Sequence, residues 1–389
     1  MQPFEVSHLI FSFDLLIPKV LTDPPTIAWN KIHIEMVVHA PSESSGSLIR
    51  LVKSLDAADY LGSTPSLTIE LPQRVDPQLL RFLQQSEAFP QLAGRITLRR
   101  RIQPHHVDPE ESSLRTVESF YPLEPETAHL LILSPQTEVG PSFYHYLKYT
   151  VLNYKQSARA KRVFSKLIGI SLELPSSNPT TDGKSFAPPD MTVKDGEQFI
   201  PLFLWQAPNS NAALYFGDVW AEFHSFLSNR LSTSESATAP HAKLISEKYP
   251  AFMEHLLEMI RAKGYYLLYP SFPGIKSSSI ATVHNELYQR PEEFGGSNPS
   301  GFGNEDGSTS GEQPLNHAST IMPLLDLFSS GLPDLDALPL LGFEGEQLDA
   351  AEYAKQTEEY FQQFRTNYGG CSRDTKIDDP SADLFCLQE

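Results

Sequence analysis

The chain is poor in cysteine. Its 389 residues include only two, Cys371 and Cys386, both in the polar C-terminal tail. So few cysteines exclude a disulfide framework and a cysteine-rich metal site. The redox state of the compartment in which the protein works is left open, because two cysteines are compatible with either environment.

Positive charge is scarce as well. Against 48 Asp and Glu there are 30 Lys and Arg, which gives a formal net charge of −18. This balance argues against a broad electrostatic footprint on nucleic acid or on an anionic membrane, so we predict no nucleic-acid partner. No run of about 18 apolar residues occurs, so we predict no membrane span in this chain and expect it to be soluble as given.

Three motifs of nucleotide and acyl chemistry are absent: Gly-X-Gly-X-X-Gly, the P-loop and Gly-X-Ser-X-Gly. What is present is an alternation of β-branched or apolar runs with amphipathic segments. This alternation predicts an α/β fold with a Rossmann-like, mostly parallel sheet and helices on both faces. The predicted strands are 32–40, 66–72, 95–101, 129–135 and 165–174, and the main helices between them are 48–61, 76–85 and 142–156.

Composition divides the chain into four parts. Residues 1–31 form an N-terminal extension, and 32–290 carry the α/β pattern. Residues 291–316 have the composition of a flexible low-complexity linker. Residues 317–389 remain as an accessory C-terminal segment, in part helical and in part disordered.

Two loops at predicted strand ends carry candidate ligand groups. Open α/β sheets bind ligands at the carboxyl ends of their strands. After the first strand, Ser42, Glu43, Ser44 and Ser45 could meet a base, ribose or phosphate, although a capped helix start explains serines there equally well. After the second strand, Glu70 and Asp76 are candidates for a nucleotide contact, and Asp76 also fits an N-cap. The same edge of the sheet should gather both loops.

A third loop follows the fourth strand. It has the sequence Ser134-Pro135-Gln136-Thr137-Glu138, with a single acid. A plain strand-to-helix turn would account for this sequence. Its position also suits a group that contacts a nucleotide diphosphate.

The stretches 37–72, 131–157 and 204–230 resemble a eukaryotic, fungal-type branch of the family 2 glycosyltransferases. The resemblance implies a GT-A fold over 32–290, with a donor part (32–175) and an acceptor part (199–290). It also implies a nucleotide-sugar donor, a glycan or other hydroxyl acceptor and an inverting transfer. Fuller members carry an N-terminal membrane anchor, so a Golgi or endomembrane location is implied only if a longer product supplies one.

The resemblance also implies a divalent cation on an Asp-X-Asp motif in the third loop. Here Ser134 and Gln136 stand where the two acids would align, and Glu138 is the remaining metal ligand. One carboxylate with hydroxyl and amide oxygens could hold Mg²⁺ or Mn²⁺ weakly. Alternatively no metal binds, and basic groups such as Lys148 stabilise the leaving diphosphate.

Inverting transfer needs a general base for the acceptor hydroxyl. Asp218 and Glu222, four residues apart at the start of a predicted helix, are the candidates, and N-capping is the alternative role of Asp218. Lys276, in the polar stretch after a later strand, is a candidate donor to the diphosphate. The main hypothesis is therefore a glycosyltransferase. The alternative is a catalytically silent GT-A-like protein that binds a nucleotide sugar or another protein.

Overall fold

A computed structural model describes residues 30–85, 87, 89–100, 114–156, 166–180, 184–189, 202–234, 243–271, 280–284, 331–371 and 384–386. Within these ranges a ten-stranded sheet forms the centre of the fold. A separate two-stranded sheet stands beside it.

One half of the large sheet is wholly parallel. Its strands are β1 (His33–His39), β2 (Ser66–Leu71), β3 (Ile96–Arg100) and β4 (Ala128–Leu133), in the spatial order β3-β2-β1-β4. The near-continuous apolar runs of β1 and β4 reflect burial on both faces. The predicted strands of this half are confirmed, with ends shifted by one or two residues.

Two helices connect the parallel strands. Helix α1 (Ser45–Asp56) buries Leu48, Leu51, Val52 and Leu55 completely, at the three- and four-residue spacing of one helical face. Helix α2 (Pro77–Gln84) begins after Asp76, whose side chain accepts a hydrogen bond from the N–H of Gln78 at 2.9 Å. Such a cap is worth about 1 kcal/mol, so Asp76 has a structural role at this helix start.

The other half of the sheet is mixed. It adds β6 (Leu167–Ser171), β7 (Leu202–Trp205), β8 (Ala212–Tyr215), β9 (Tyr266–Pro270), β11 (Leu340–Leu341) and β12 (Gln347–Leu348). Strand β8 lies antiparallel between β4 and β6, and the order continues through β9, β7 and β11 to β12. Seven of the ten strands run in one direction, so the predicted α/β fold with a large, mostly parallel sheet flanked by helices is confirmed.

Four further helices flank the sheet. They are α3 (Phe143–Val151), which continues as a π-helical turn over Leu152–Gln156, and α4 (Gly217–Ser234), α5 (Phe252–Lys263) and α6 (Ala350–Asn367). Gly264 ends α5 in the left-handed conformation at φ 63°, which glycine adopts readily at the end of a helix. None of the helices in the described ranges is long and apolar enough to cross a membrane.

The C-terminal segment contributes to the sheet. Strand β11 pairs in parallel with β7, and β12 pairs with β11, so part of the segment predicted as accessory extends the main sheet. Helix α6 packs against α5. A disulfide joins Cys371 to Cys386, and it places Phe385 against Phe226 of α4. The sequence excludes a disulfide framework but does not predict this single crosslink. The predicted domain boundaries stay predictions.

Candidate functional site at the carboxyl-end rim

The carboxyl ends of the parallel strands form one edge of the sheet, which we call the rim. Strands β1, β2 and β4 end there, and so does β6, because it runs parallel to β4 across the antiparallel β8. The first residues of β8 lie at the same edge, since Leu133 pairs with Ala212. The rim is therefore where the topology of an α/β sheet favours a ligand.

The β1–α1 loop supplies the first group of rim residues. Ser42 and Glu43 are exposed, whereas Ser44 and Ser45 are buried. The hydroxyl of Ser44 donates to the carbonyl of Pro41 at 2.7 Å, and it makes no capping bond to α1. Ser42 and Glu43 are thus the polar side chains of this loop that face solvent.

Glu70 lies near the end of β2 and is 4% exposed. Its carboxylate is 3.6 Å from Nδ1 of His39, which ends the neighbouring strand β1. The pairing of Glu70 with His39 in the register of the two strands explains why the side chains meet. The structure therefore brings Glu70 to the rim, next to the β1–α1 loop.

The turn after β4 is tightly bonded. Oγ of Ser134 accepts from the N–H of Gln136 at 3.3 Å, and the N–H of Ser134 donates to the carbonyl of Asn211 at 2.7 Å. The side-chain amide of Gln136 donates to the carbonyl of His284 at 3.0 Å. Both residues that replace the expected acids are therefore engaged in holding the turn.

Glu138 pairs with a histidine. It lies in β5 (Thr137–Val139), which pairs antiparallel with β10 (Ala281–Val283) to form the small sheet. Its Oε2 is 2.9 Å from Nε2 of His284, and the two side chains are 12% and 20% exposed. The carboxylate predicted as a metal ligand is therefore in contact with an imidazole that can itself be protonated.

The donor set at the turn does not fit a divalent cation. Mg²⁺ and Mn²⁺ prefer carboxylate, carbonyl and water oxygens. The turn offers one carboxylate, and Glu138 is already in contact with His284. Across the described residues no group of three or more His, Cys, Asp or Glu side chains could hold a metal ion. No chemical step is therefore assigned to a metal here.

Asp218 and Glu222, the two candidates for the general base, lie at the opposite edge of the sheet from Glu138. The end of β8 pairs with the start of β4, and the N–H of Gly217 donates to Nδ1 of His129 at 3.1 Å. Five strand residues separate this edge from the rim, roughly 16 Å at about 3.3 Å per residue. The antiparallel direction of β8, which its sequence does not reveal, causes the displacement.

Both acids are held in ion pairs at that edge. Asp218 binds Lys155, and Glu222 binds Lys263 and accepts a 2.9 Å hydrogen bond from the Tyr265 hydroxyl. Lys148 is fully buried and donates to the carbonyl of Ile32 at 2.6 Å, and burial lowers its pKa to about 8. Lys148 therefore cannot meet a diphosphate at the rim. Lys276 lies outside the described residues.

Glu173 is the rim residue that the sequence analysis missed. It follows β6, is 6% exposed, and accepts a 2.9 Å hydrogen bond from Nδ2 of Asn209. Burial raises the pKa of its carboxyl to about 7, and hydrogen bonds from Asn211 and Asn209 offset part of the rise. An acid at the end of the predicted apolar strand 165–174 is the signal that could have identified it.

Glu173 borders a small recess. The recess has a volume of about 200 Å³, open solvent included, and its walls also include Asn209, Asn211, Tyr249 and Met253. This is less than the roughly 300 Å³ at which pockets for drug-sized ligands begin. The recess is thus too small to enclose a ligand the size of a nucleotide sugar.

Comparisons with known proteins add a family match. The family model described as "SPBC1E8.03c C-terminal domain" matches residues 46–236, just under half of the chain. No curated protein matches the chain.

Several solved structures are similar in part. A mannosyltransferase from Pyrobaculum calidifontis, in complex with GDP-Man and Mn²⁺, is 9% identical with a TM-score of 0.34, over 68% of this chain and 62% of that one. GalNAc-T7 with UDP, GalNAc and Mn²⁺ is 11% identical with a TM-score of 0.38, over 61% and 42%. The galactosyltransferase LgtC with donor and acceptor sugar analogues is 12% identical with a TM-score of 0.32, over 57% and 69%. The chain thus spans less than two thirds of the length of the mannosyltransferase and of GalNAc-T7.

Proposed function

We propose that the protein is a glycosyltransferase with a GT-A-like fold, which moves a sugar from a nucleotide-sugar donor to a hydroxyl acceptor. The observation that supports this proposal most is the set of polar residues at the rim. Ser42, Glu43, Glu70 and Ser134 all lie at the carboxyl ends of three adjacent parallel strands. Ligands of open α/β sheets bind at this edge. Membership of family 2, a fungal origin, inverting stereochemistry and an endomembrane location are parts of the proposal that rest on the sequence resemblance.

The donor lies along the rim in this proposal. The exposed Ser42 and Glu43 and the N-terminus of α1 face its nucleotide, and Glu70 is the second contact. The turn at Ser134–Glu138 approaches the diphosphate. The start of α1 contributes the positive end of the helix dipole, which suits a phosphate.

Because Asp218 and Glu222 lie at the opposite edge, we look for the general base among the side chains at the rim. The titratable side chains near the turn are Glu173 and the Glu138–His284 pair. A histidine held by a carboxylate has the arrangement of a general base, and burial raises the pKa of the Glu173 carboxyl to about 7, which suits the same role. Either can act only if the acceptor hydroxyl reaches the rim.

Nucleotide binding tests the proposal. UDP and GDP, each with and without Mn²⁺, should raise the melting temperature, because a ligand that binds only the native state stabilises it. Since the turn does not fit a divalent cation, we expect the rise to persist without Mn²⁺. If neither nucleotide raises the melting temperature under either condition, the proposal is contradicted.

A matched pair of variants tests the position of the diphosphate. Ser42→Glu adds a negative charge at the rim, and Ser225→Glu adds the same charge to an exposed position of α4 near the opposite edge. We expect Ser42→Glu to weaken nucleotide binding at least about fivefold, the effect of about 1 kcal/mol of repulsion between nearby like charges in water. Ser225→Glu should leave the affinity unchanged. Equal affinities for the two variants would place the diphosphate elsewhere.

A catalytically silent GT-A-like protein is the second candidate, and one observation favours it. The hydroxyl of Ser134, the side-chain amide N–H of Gln136 and the carboxylate of Glu138 are engaged within the turn and its small sheet. Such a protein would bind a nucleotide sugar without cleaving it. A panel of sugar nucleotides separates the two candidates. Hydrolysis or transfer supports the enzyme, and thermal protection without turnover supports the binding protein.

A further inference from the structure

The connection between β7 and β8 is unusually short. The two strands run in the same direction, yet β9 and β6 lie between them in the sheet. Only residues 206–211 make the crossover, and Gln206, Ala207, Asn209 and Ser210 are all buried. Buried loop backbone must find hydrogen-bond partners within the protein. The crossover therefore depends on a polar network of its own.

Asn209 is the centre of that network. Its Nδ2 donates to Oε1 of Glu173 at 2.9 Å and to Oγ of Ser171 at 3.0 Å. Its Oδ1 accepts from the N–H groups of Asn211 at 2.7 Å and Ala212 at 3.2 Å. Both amide hydrogens and the amide oxygen are thus used, so the side chain has one arrangement that satisfies every partner.

The backbone of Asn209 is fixed as well. Its N–H donates to the hydroxyl of Tyr215 at 3.0 Å, and that hydroxyl donates to its carbonyl at 2.7 Å. Tyr215 belongs to β8 and is fully buried. The network therefore connects the end of β6, the crossover and β8 in a single rigid unit.

Asn211 extends the network to the turn after β4. The carbonyl of Asn211 accepts two hydrogen bonds, from the N–H of Ser134 at 2.7 Å and from the hydroxyl of Thr137 at 2.8 Å. A continuous hydrogen-bonded relay thus runs from Glu173 through Asn209 and Asn211 to the turn at Ser134–Glu138. Because each link is buried or partly buried, loss of one partner leaves a polar group unsatisfied.

We propose that Glu173 is a positioning residue that fixes the turn at Ser134–Glu138 through Asn209 and Asn211. The inference rests on the proposed function to the extent that this turn meets the donor diphosphate. The hydrogen bond from Asn209 needs an acceptor oxygen on residue 173, and it does not need a negative charge. Glu173→Gln should therefore preserve the relay, and Glu173→Ala should break it.

Hydrogen exchange at the turn tests the positioning without any ligand. In Glu173→Ala the amide of Ser134 should exchange at least about tenfold faster, because its acceptor is no longer held in place. Glu173→Gln should exchange like the wild type. Glu258→Ala is the matched control, since Glu258 of α5 is 2% exposed and binds Arg230 of α4 at 3.0 Å, outside the relay. An unchanged Ser134 amide in Glu173→Ala would overturn the proposal.

Nucleotide affinity is the second readout. Relative to the wild type, Glu173→Ala should weaken UDP or GDP binding by about 10- to 100-fold, the usual range for partners that orient ligand-binding groups. Glu258→Ala should destabilise the protein without changing the affinity. If Glu173→Ala loses no more nucleotide affinity than Glu258→Ala does, the positioning role is contradicted. If Glu173→Ala does not fold, Asn209→Ser breaks the relay at the next residue and is judged by the same two readouts.

The two proposals fail in different ways. If the wild type binds no nucleotide, the proposed function is contradicted, and exchange at Ser134 still decides whether Glu173 holds the turn. If the wild type binds nucleotide but Ser134 exchanges alike in all variants, the positioning role is contradicted and the proposed function stands.

Discussion

The two edges of the sheet hold their acidic residues in different ways. At the rim, Glu173 is bound by neutral amides and Glu138 by an imidazole. At the opposite edge, Asp218 and Glu222 are bound by the lysines Lys155 and Lys263. The lysines hold their carboxylates in ion pairs, so these acids have a structural role. Burial raises the pKa of the Glu173 carboxyl to about 7, a value that suits acid–base chemistry at neutral pH.

The largest effect of a substitution on stability is expected at the opposite edge, at Gly217. A Cβ added at Gly217 would lie 2.0 Å from the carbonyl oxygen of Ala128 and 2.6 Å from that of Pro125. Since both contacts are with backbone, Gly217→Ala should lower the free energy of unfolding by at least about 3 kcal/mol. Denaturant unfolding measures this. A loss below about 1 kcal/mol would show that α4 does not start against the amino end of β4.

The pH dependence of stability tests the raised pKa of Glu173, the buried carboxyl at the rim. Folding raises the pKa of Glu173 from 4.5 to about 7, so the folded protein holds this proton more tightly than the unfolded chain does. Its contribution is therefore fully present below about pH 4.5 and is lost as the pH rises to about 7, a change of roughly 3 kcal/mol.

Glu173→Gln should remove this dependence. The difference between the wild-type and variant unfolding free energies, measured from pH 4.5 to 7.5, isolates the contribution of Glu173. The wild type should lose stability relative to the variant across that window. If this difference in unfolding free energy does not change with pH, Glu173 has the same pKa in the folded and unfolded states.

The smallest effect is expected for the ion pairs of the opposite edge. Asp218→Asn and Glu222→Gln should each cost about 1 kcal/mol or less, because both pairs are partly open to solvent. Neither should change nucleotide affinity or turnover. Thermal unfolding and nucleotide titration measure the two quantities. Loss of nucleotide binding or of turnover in either variant would return these acids to the functional site.

The parallel half of the fold could be predicted from local pattern. Apolar runs and the helix start at Asp76 are local signals, and each is found where it was predicted. The two-residue strands β11 and β12 could not be predicted, because strands so short have no periodicity. The small sheet pairs residues more than 140 positions apart, so no local pattern predicts it.

The candidate site was predictable only where strand direction is implied by the alternation of strands and helices. Glu70, Ser134 and Glu138 follow parallel strands, and the structure places them at one edge. Asp218 follows β8, whose direction is set by pairing with β4 and β6, so its edge could not be known from the sequence. Whether these rim residues bind a donor is still a prediction.

Hydrogen exchange with and without UDP or GDP tests the central claim most directly. If the donor binds along the rim, added nucleotide should slow exchange in residues 40–45 and 134–139 and leave residues 217–222 unchanged. Slowed exchange at 217–222 with no change at the rim would contradict the account.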